Sequence, residues 1–256
     1  KKNNPAIDLL LKVIEKNNKN NILKVNQYKY DKYEKIEFQL NNIDSSFMKR
    51  KTFKNLEFIF KDIDTSKYTG VNYLPFFINE SISEIYGNNN TNLYKEVMLG
   101  SKTSGFNSNQ RIIAFTEDIK INYNIYDNYI KLFDKSFISP ISKPGINSYN
   151  YVLSDSTYID NRRSYNIIYY PRRKNELTFK GDFWITDTTY AVKKINLEAT
   201  KSANINWLKQ IYIEQEYKEY LDGLYLINKD YLLADISYSK KHDEKGIYAK
   251  RTTIFD

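Results

Sequence analysis

The sequence has no cysteine, one histidine, two methionines, eight glycines and five prolines in 256 residues. Without cysteine there is no disulfide framework, no thiolate zinc or iron–sulfur site and no cysteine nucleophile. A single histidine, His242, excludes an intrachain site built on two imidazole ligands. Scarce glycine and proline argue against collagen-like sequence, flexible linkers and glycine-rich phosphate loops. No P-loop, G-x-G-x-x-G, H-E-x-x-H or G-x-S-x-G pattern occurs. No stretch approaches the ~20 consecutive apolar residues of a membrane-spanning helix, and none near the start resembles a signal-peptide core. Neither a cofactor nor a metal is expected, and the residues name no reaction.

What the sequence has in excess is aromatic: 24 Tyr, 14 Phe and 2 Trp. Such residues suit a pleated, half-buried surface. Lys plus Arg is 39 against 31 Asp plus Glu, giving +8. The clusters Lys49-Arg50-Lys51, Arg172-Arg173-Lys174, Lys193-Lys194 and Lys240-Lys241 are short and separated by acids. That spread suits solvated strand edges better than a nucleic-acid footprint, so no nucleic-acid partner is expected. The chain opens on Lys1-Lys2-Asn3-Asn4 and closes in strand-like residues to Asp256, so it is expected to be a piece of a longer protein.

A first helix is predicted with Asn4 as cap, Pro5 in the first turn, and Ile7, Leu10, Leu11 and Ile14 on one face. Tyr28 to Leu40 alternates as a strand with one wet face. A second helix from Ser45 or Ser46 would carry Phe53, Leu56, Ile59, Phe60 and Ile63. Leu74 to Ile82 reads as a strand, with Pro75 at an edge or entry position, and Leu93 to Leu99 as a short one. A third helix capped by Asn107 or Ser108 would carry Ile112, Phe115 and Ile119. Lys143-Pro144-Gly145 suggests a seam near residue 145. Beyond it nearly everything alternates: 149–157, 164–170, 177–186, 191–200, 207–220, 224–237 and 247–255, joined by short turns such as 187–189 and 221–223. The expected fold is α+β, one domain over 1–256. Its highly curved antiparallel sheet, an incomplete barrel, would wrap around helices of the N-terminal half. No βαβ alternation supports a doubly wound sheet.

Phe179, Phe183, Ile195, Leu197, Ile211 and Ile213 share the dry face of this meander. They are the candidate hydrophobic groove, to be filled by the domain's helices or shared with a lipid. Glu214 and Glu216 share a face, their carboxylates roughly 7 Å apart, a separation that overlaps that of paired glycosidase acids. The wet face of a strand explains them as well. Asp182 and Asp187 flank a strand end and admit a cation or plain turn chemistry. His242 lies in a charged turn. Tyr165, Ile167 and Tyr169, before Tyr170-Pro171-Arg172-Arg173, suggest either a base-stacking platform or core beside a solvated edge.

Several segments carry a family resemblance. These are Glu176-Leu-Thr-Phe-Lys-Gly-Asp-Phe-Trp-Ile-Thr-Asp-Thr-Thr-Tyr-Ala-Val-Lys-Lys-Ile195, Tyr73-Leu-Pro-Phe-Phe-Ile-Asn-Glu-Ser81, Asn124-Ile-Tyr-Asp-Asn-Tyr129, Ser136-Phe-Ile-Ser-Pro-Ile-Ser142 and Ala203-Asn-Ile-Asn206. With them the chain resembles large Bacteroidota outer-membrane proteins labelled carboxypeptidase-like regulatory domain-containing, which carry a central domain of unknown function. The resemblance implies an N-terminal β-sandwich before this region, an outer-membrane β-barrel after it, a place on the periplasmic face of the outer membrane, and no peptidase activity. In the order of its elements the chain is also similar to periplasmic lipoprotein carriers, half-open barrels with a helix-lidded apolar cavity. The expected function is non-enzymatic: a hydrophobic groove or sheet edge offered to a lipid, lipoprotein or protein client in envelope biogenesis or transport. The alternative is a carboxylate-dependent enzyme acting on envelope glycans through Glu214 and Glu216.

Overall fold

The computed structural model describes residues 4–17, 25–49, 57–105, 116–199, 208–221, 223–236 and 246–256. Helix α1 (Pro5–Lys16) begins as its sequence dictates. The Asn4 carboxamide oxygen accepts from the Ala6 N–H at 3.0 Å, and Pro5 occupies the first turn, where a missing N–H costs nothing. The Asn4 amide also donates to the Tyr151 carbonyl at 3.0 Å, so the cap pins the helix to the sheet.

The rest is mostly antiparallel sheet. Strands β1 (Gln27–Asn41), β2 (Asp64–Thr65), β3 (Asn72–Asn88) and β4 (Leu93–Gly105) precede a hairpin, β5 (Tyr129–Leu132) and β6 (Lys135–Ile138). Then come β7 (Tyr149–Ile159), β8 (Arg162–Pro171), β9 (Phe179–Thr186), β10 (Val192–Ala199), β11 (Leu208–Leu221), β12 (Leu224–Ile236) and β13 (Ile247–Phe255). Eleven strands form one sheet in the order β2-β3-β1-β13-β12-β11-β10-β9-β8-β7, with β4 also on β3; β5 and β6 pair separately. Among the described residues the sheet does not close, because β4 and β7 do not pair with each other.

The seven strands expected after residue 148 are β7 to β13. The first half departs further from its reading. The helix expected from Ser45 is a single turn, α2 (Ser45–Met48), followed by a 3-10 turn at Glu57–Asp62; Phe53 and Leu56 lie outside the described residues. Of the third expected helix, residues 116–119 are helical, and Asn107, Ser108, Ile112 and Phe115 lie outside the described residues. The short strand expected at Leu93 is 13 residues long. Among the described residues, the N-terminal half therefore supplies long strands and, as α-helix, α1, α2 and residues 116–119. One further turn, α3 (Gly145–Ser148), marks the expected seam, but residues on both sides of it share one core. Pro75 falls between the β2 and β4 pairings on one flank of β3 and at a bulge opposite Gln39 on the other, so its missing donor costs little ladder.

That core covers the sheet's inner face. Ala6, Leu10 and Val13 of α1 join Ile119, Ile125 and the β5–β6 hairpin against Ile36 and Phe38 of β1, Phe183 of β9, Ile195 of β10 and Ile213 of β11. The inner face admits large rings because glycine makes room for them. Gly181 lets Tyr169 pass beneath β9, where its hydroxyl donates to the Asn196 carbonyl at 2.6 Å; a Cβ there would collide with that carbonyl. Tyr68 and Thr69 lie over the outer face instead, and a separate small cluster forms beside them. Tyr68 stacks on Tyr231 at 5.3 Å, Thr69 bonds Tyr248 at 2.6 Å, and Ile43, Phe47 and Leu74 form a small second cluster.

Leu10→Ala is expected to cost about 2–5 kcal/mol and the half-exposed Leu11→Ala within ~0.5, in urea titrations. Gly181→Ala should cost about 1–3 kcal/mol by overpacking. Burial raises Tyr73 and Tyr212 to about 12. Below pH ~10 both folded and unfolded chains keep these phenols neutral, and above it only the unfolded chain ionises. Stability is therefore expected to be flat up to pH ~10 and to fall towards pH ~12, as read by denaturation midpoints.

Candidate functional site

The six candidate groove residues come together, but as core. Phe179, Phe183 and Ile195 are fully buried, Ile211 is 1% exposed, and Leu197 and Ile213 are 2% exposed. They pack against the chain's own side chains, Phe137 of β6 stacking on Phe179 at 4.8 Å. An open groove of about 410 Å³ lies elsewhere on the same face, and none of the six lines it.

This groove lies where β1 begins, β11 and β13 end and β12 begins. Tyr28 and Tyr30 stack at 5.8 Å, and Tyr30 meets Phe255 edge-on at 5.7 Å. Gly87 of β3 leaves the space that the Tyr28 ring occupies. Leu224, Leu226 and Ile227 of β12 line the far side, Tyr94 reaches in from β4, and residues 121–123 form a strap along one wall. Sequence reasoning missed this site because its parts are distant in the chain and carry no motif. One signal was present: Lys32 and Glu34 interrupt the apolar parity of β1 between Tyr30 and Ile36.

The boundary between packed core and groove is polar. Arg251 of β13 donates from Nη2 to Asp230 at 2.7 Å, and from Nη1 to the carbonyls of Ile119 and Ile121 at 3.1 and 2.7 Å. Asp230 also accepts from Tyr123 and Gln215, each at 2.7 Å, and Tyr217 donates to Gln215 at 2.7 Å. Burial, then the Asp230 charge, pushes the Tyr123 phenol well above its usual range, so it stays a donor. This network ties the strap to the sheet. The Nε of Arg251 is buried without an acceptor.

The other candidates resolve separately. Glu214 and Glu216 do share the outer face, but Lys194 lies 3.5 Å from a carboxylate oxygen of each. Burial raises the Glu214 carboxyl, and Lys194 and Lys67 outweigh that and hold it below its ordinary value, unsuited to general-acid work. Asp182 accepts from Asn166 at 2.8 Å and Asn196 at 2.9 Å, a polar ladder across β8, β9 and β10. No group of three acids or histidines suited to a metal occurs among the described residues. His242 lies outside the described residues. Ile167 and Tyr169 are fully buried, which corrects the stacking-platform reading: rings in the core cannot meet bases. Lys193 is 7% exposed and bonds Asp160, while Lys194 serves the two glutamates, so that basic pair presents no shared face.

A family model described as "Family of unknown function (DUF5686)" matches residues 10–242. The chain belongs to this family. It matches no curated protein. Among solved structures, this DUF5686 chain is similar to a LolA superfamily protein from Nitrosomonas europaea, at 8% identity over 98% of this chain and 91% of that one, with a TM-score of 0.31. It is also similar to a DUF1329 family protein from Desulfovibrio piger, at 10% identity over 99% and 94%, TM-score 0.31. A third likeness is to the Pseudomonas aeruginosa MucA/MucB complex structure, at 9% identity over 98% and 94%, TM-score 0.27. Likenesses this slight carry no argument about ligand or role. No helix among the described residues of the DUF5686 chain is long and apolar enough to cross a membrane, which leaves β-barrels unaddressed.

Breaking the buried pair on one side is expected to be costly. Arg251→Met should lose about 3–5 kcal/mol by urea titration, because it strands the Asp230 charge. Adding Asp230→Asn should recover part of that loss. A cost below ~1 kcal/mol for Arg251→Met would mean that the network does not hold the strap.

Proposed function

We propose that this DUF5686 domain is a non-enzymatic binding domain of the bacterial envelope, and that its inner-face groove receives the apolar part of an amphiphilic client. One observation carries the reading: a groove of about 410 Å³ opens on the inner face beside the packed core, walled by Tyr30, Phe255, Leu224 and Leu226. That volume is in the range of small-ligand sites, and apolar burial at about 25 cal/mol per Å² would supply the affinity. The packed residues Phe179, Phe183, Ile195, Leu197, Ile211 and Ile213 serve as the wall that keeps the sheet bent around α1 while the groove stays free.

The finer reading rests on the sequence resemblance. On it the domain faces the periplasm at the outer membrane, between a β-sandwich and a β-barrel of the same protein, and its client is a lipid or lipoprotein in biogenesis or transport. The glycan-hydrolase alternative finds less support. Glu214 and Glu216 are bridged by a lysine on the opposite face from the groove, and neither lines it.

The test is calorimetric titration with an uncharged alkyl maltoside below its micelle threshold. Saturable binding is expected, weakened about ten-fold or more by Leu226→Asp or Phe255→Asp and unaffected by Thr252→Asp on the outer face. Absence of binding, or equal binding by all four proteins, would remove the groove reading.

A further inference from the structure

Glu34 is the groove carboxylate to which no donor is bonded among the described residues. It projects from β1 onto the inner face, opposite Thr253 of β13, and is 9% exposed. Among the described residues it makes no hydrogen bond and no ion pair. The cations around it are bonded elsewhere, although the Arg251 charge still acts on it through space. Lys32 bonds Glu96 at 2.7 Å, Lys29 bonds Glu84 at 2.8 Å, and Arg251 turns its terminal nitrogens to Asp230 and the strap carbonyls. A carboxylate that faces an open groove with no donor bonded to it is a place where a cationic head can form an ion pair or a charge-assisted hydrogen bond.

The rings around Glu34 fit the same ligand. Tyr28, Tyr30, Tyr94 and Phe255 line the same groove; burial and then Glu96 raise the Tyr94 phenol, and Tyr28 and Glu34 add to it. Aromatic faces attract ammonium groups through the ring quadrupole, most strongly when water is excluded. From Phe255 the wall continues through Leu224 and Leu226, which offers nothing but apolar surface to whatever follows the cation.

We propose that the groove is selective for amphiphiles whose head is an ammonium group, the head held by Glu34 among Tyr28, Tyr30 and Tyr94 and the alkyl chain lying along Phe255, Leu224 and Leu226. This rests on the groove being a binding site, and it adds the charge of the head. A cationic lysine side chain on an apolar peptide would use the same cage. The uninterrupted apolar wall favours a single alkyl chain instead.

The experiment uses the whole 256-residue chain and calorimetric titration with decyltrimethylammonium, decyl maltoside and decyl sulfate below their micelle thresholds. The ammonium probe is expected to bind about ten-fold tighter than the maltoside, and the sulfate weakest. Glu34→Gln, which keeps the shape and removes the charge, should bring the ammonium and maltoside affinities within about two-fold of each other. Tyr94 is 60% exposed on β4, so Tyr94→Ala spares the fold; it should lower ammonium affinity about three-fold more than it lowers that of the maltoside. An ammonium preference that survives both substitutions, or a maltoside that binds as tightly as the ammonium, overturns the proposal while leaving the groove intact. If no probe binds, the groove reading fails and this proposal fails with it.

Discussion

The Arg251–Asp230 pair lies where the inner face of the sheet changes from packed core to open groove, and both sides of that line depend on it. On the core side, the guanidinium accepts the strain of burial because two strap carbonyls and a carboxylate use its terminal nitrogens. On the groove side, the same bonds fix residues 119–123 as a wall, with Tyr123 locked to Asp230. A pair buried this deeply adds little net stability over apolar packing. What it contributes is position. Without it, nothing polar would hold the strap at a set distance from β12 and β13, and apolar surfaces left to themselves close.

The division of the sheet's two faces follows from chain economy. Among the described residues, α1, residues 119–126 and the β5–β6 hairpin pack on the inner face of the eleven-stranded sheet. The residues that do cover it form one core from β7 across to Ile36 and Phe38 of β1. The outer face is treated differently: Tyr68 stacks over β11 and β12, and lysine–glutamate pairs such as Lys194 with Glu214 keep it solvated. The long β3–β4 arm remains largely bare, with Leu93, Met98 and Leu99 each more than half exposed. A bulge opposite Ile82 and Ser83 interrupts its register, a device that discourages edge-to-edge pairing.

The second half of the fold was legible because the strands from β8 to β13, and the start of β7, have a drier and a wetter face, the condition under which period-two alternation survives into sequence. The first half was not, for opposite reasons. β4 is exposed along nearly its whole length, so burial imposes no alternation on it. Ile59, Phe60 and Ile63 fall at helical spacing, but they belong to a short 3-10 turn and the residues after it. The dry-face residues share one core, yet a dry face in sequence does not say whether it faces a guest or its own chain. Phe183 and Ile213 look in sequence much as Tyr30 and Phe255 do. What separates them is which distant segment lies above, and no local pattern encodes that. The polar interruption at Lys32 and Glu34 was the one local trace of the groove.

A crystal structure of the protein grown with an alkyl maltoside tests the account most directly. It should show the alkyl chain along Tyr30, Phe255 and Leu226, the strap in place and Arg251 still on Asp230. A chain bound on the outer face, or a groove closed by its own side chains while the probe binds elsewhere, would contradict it.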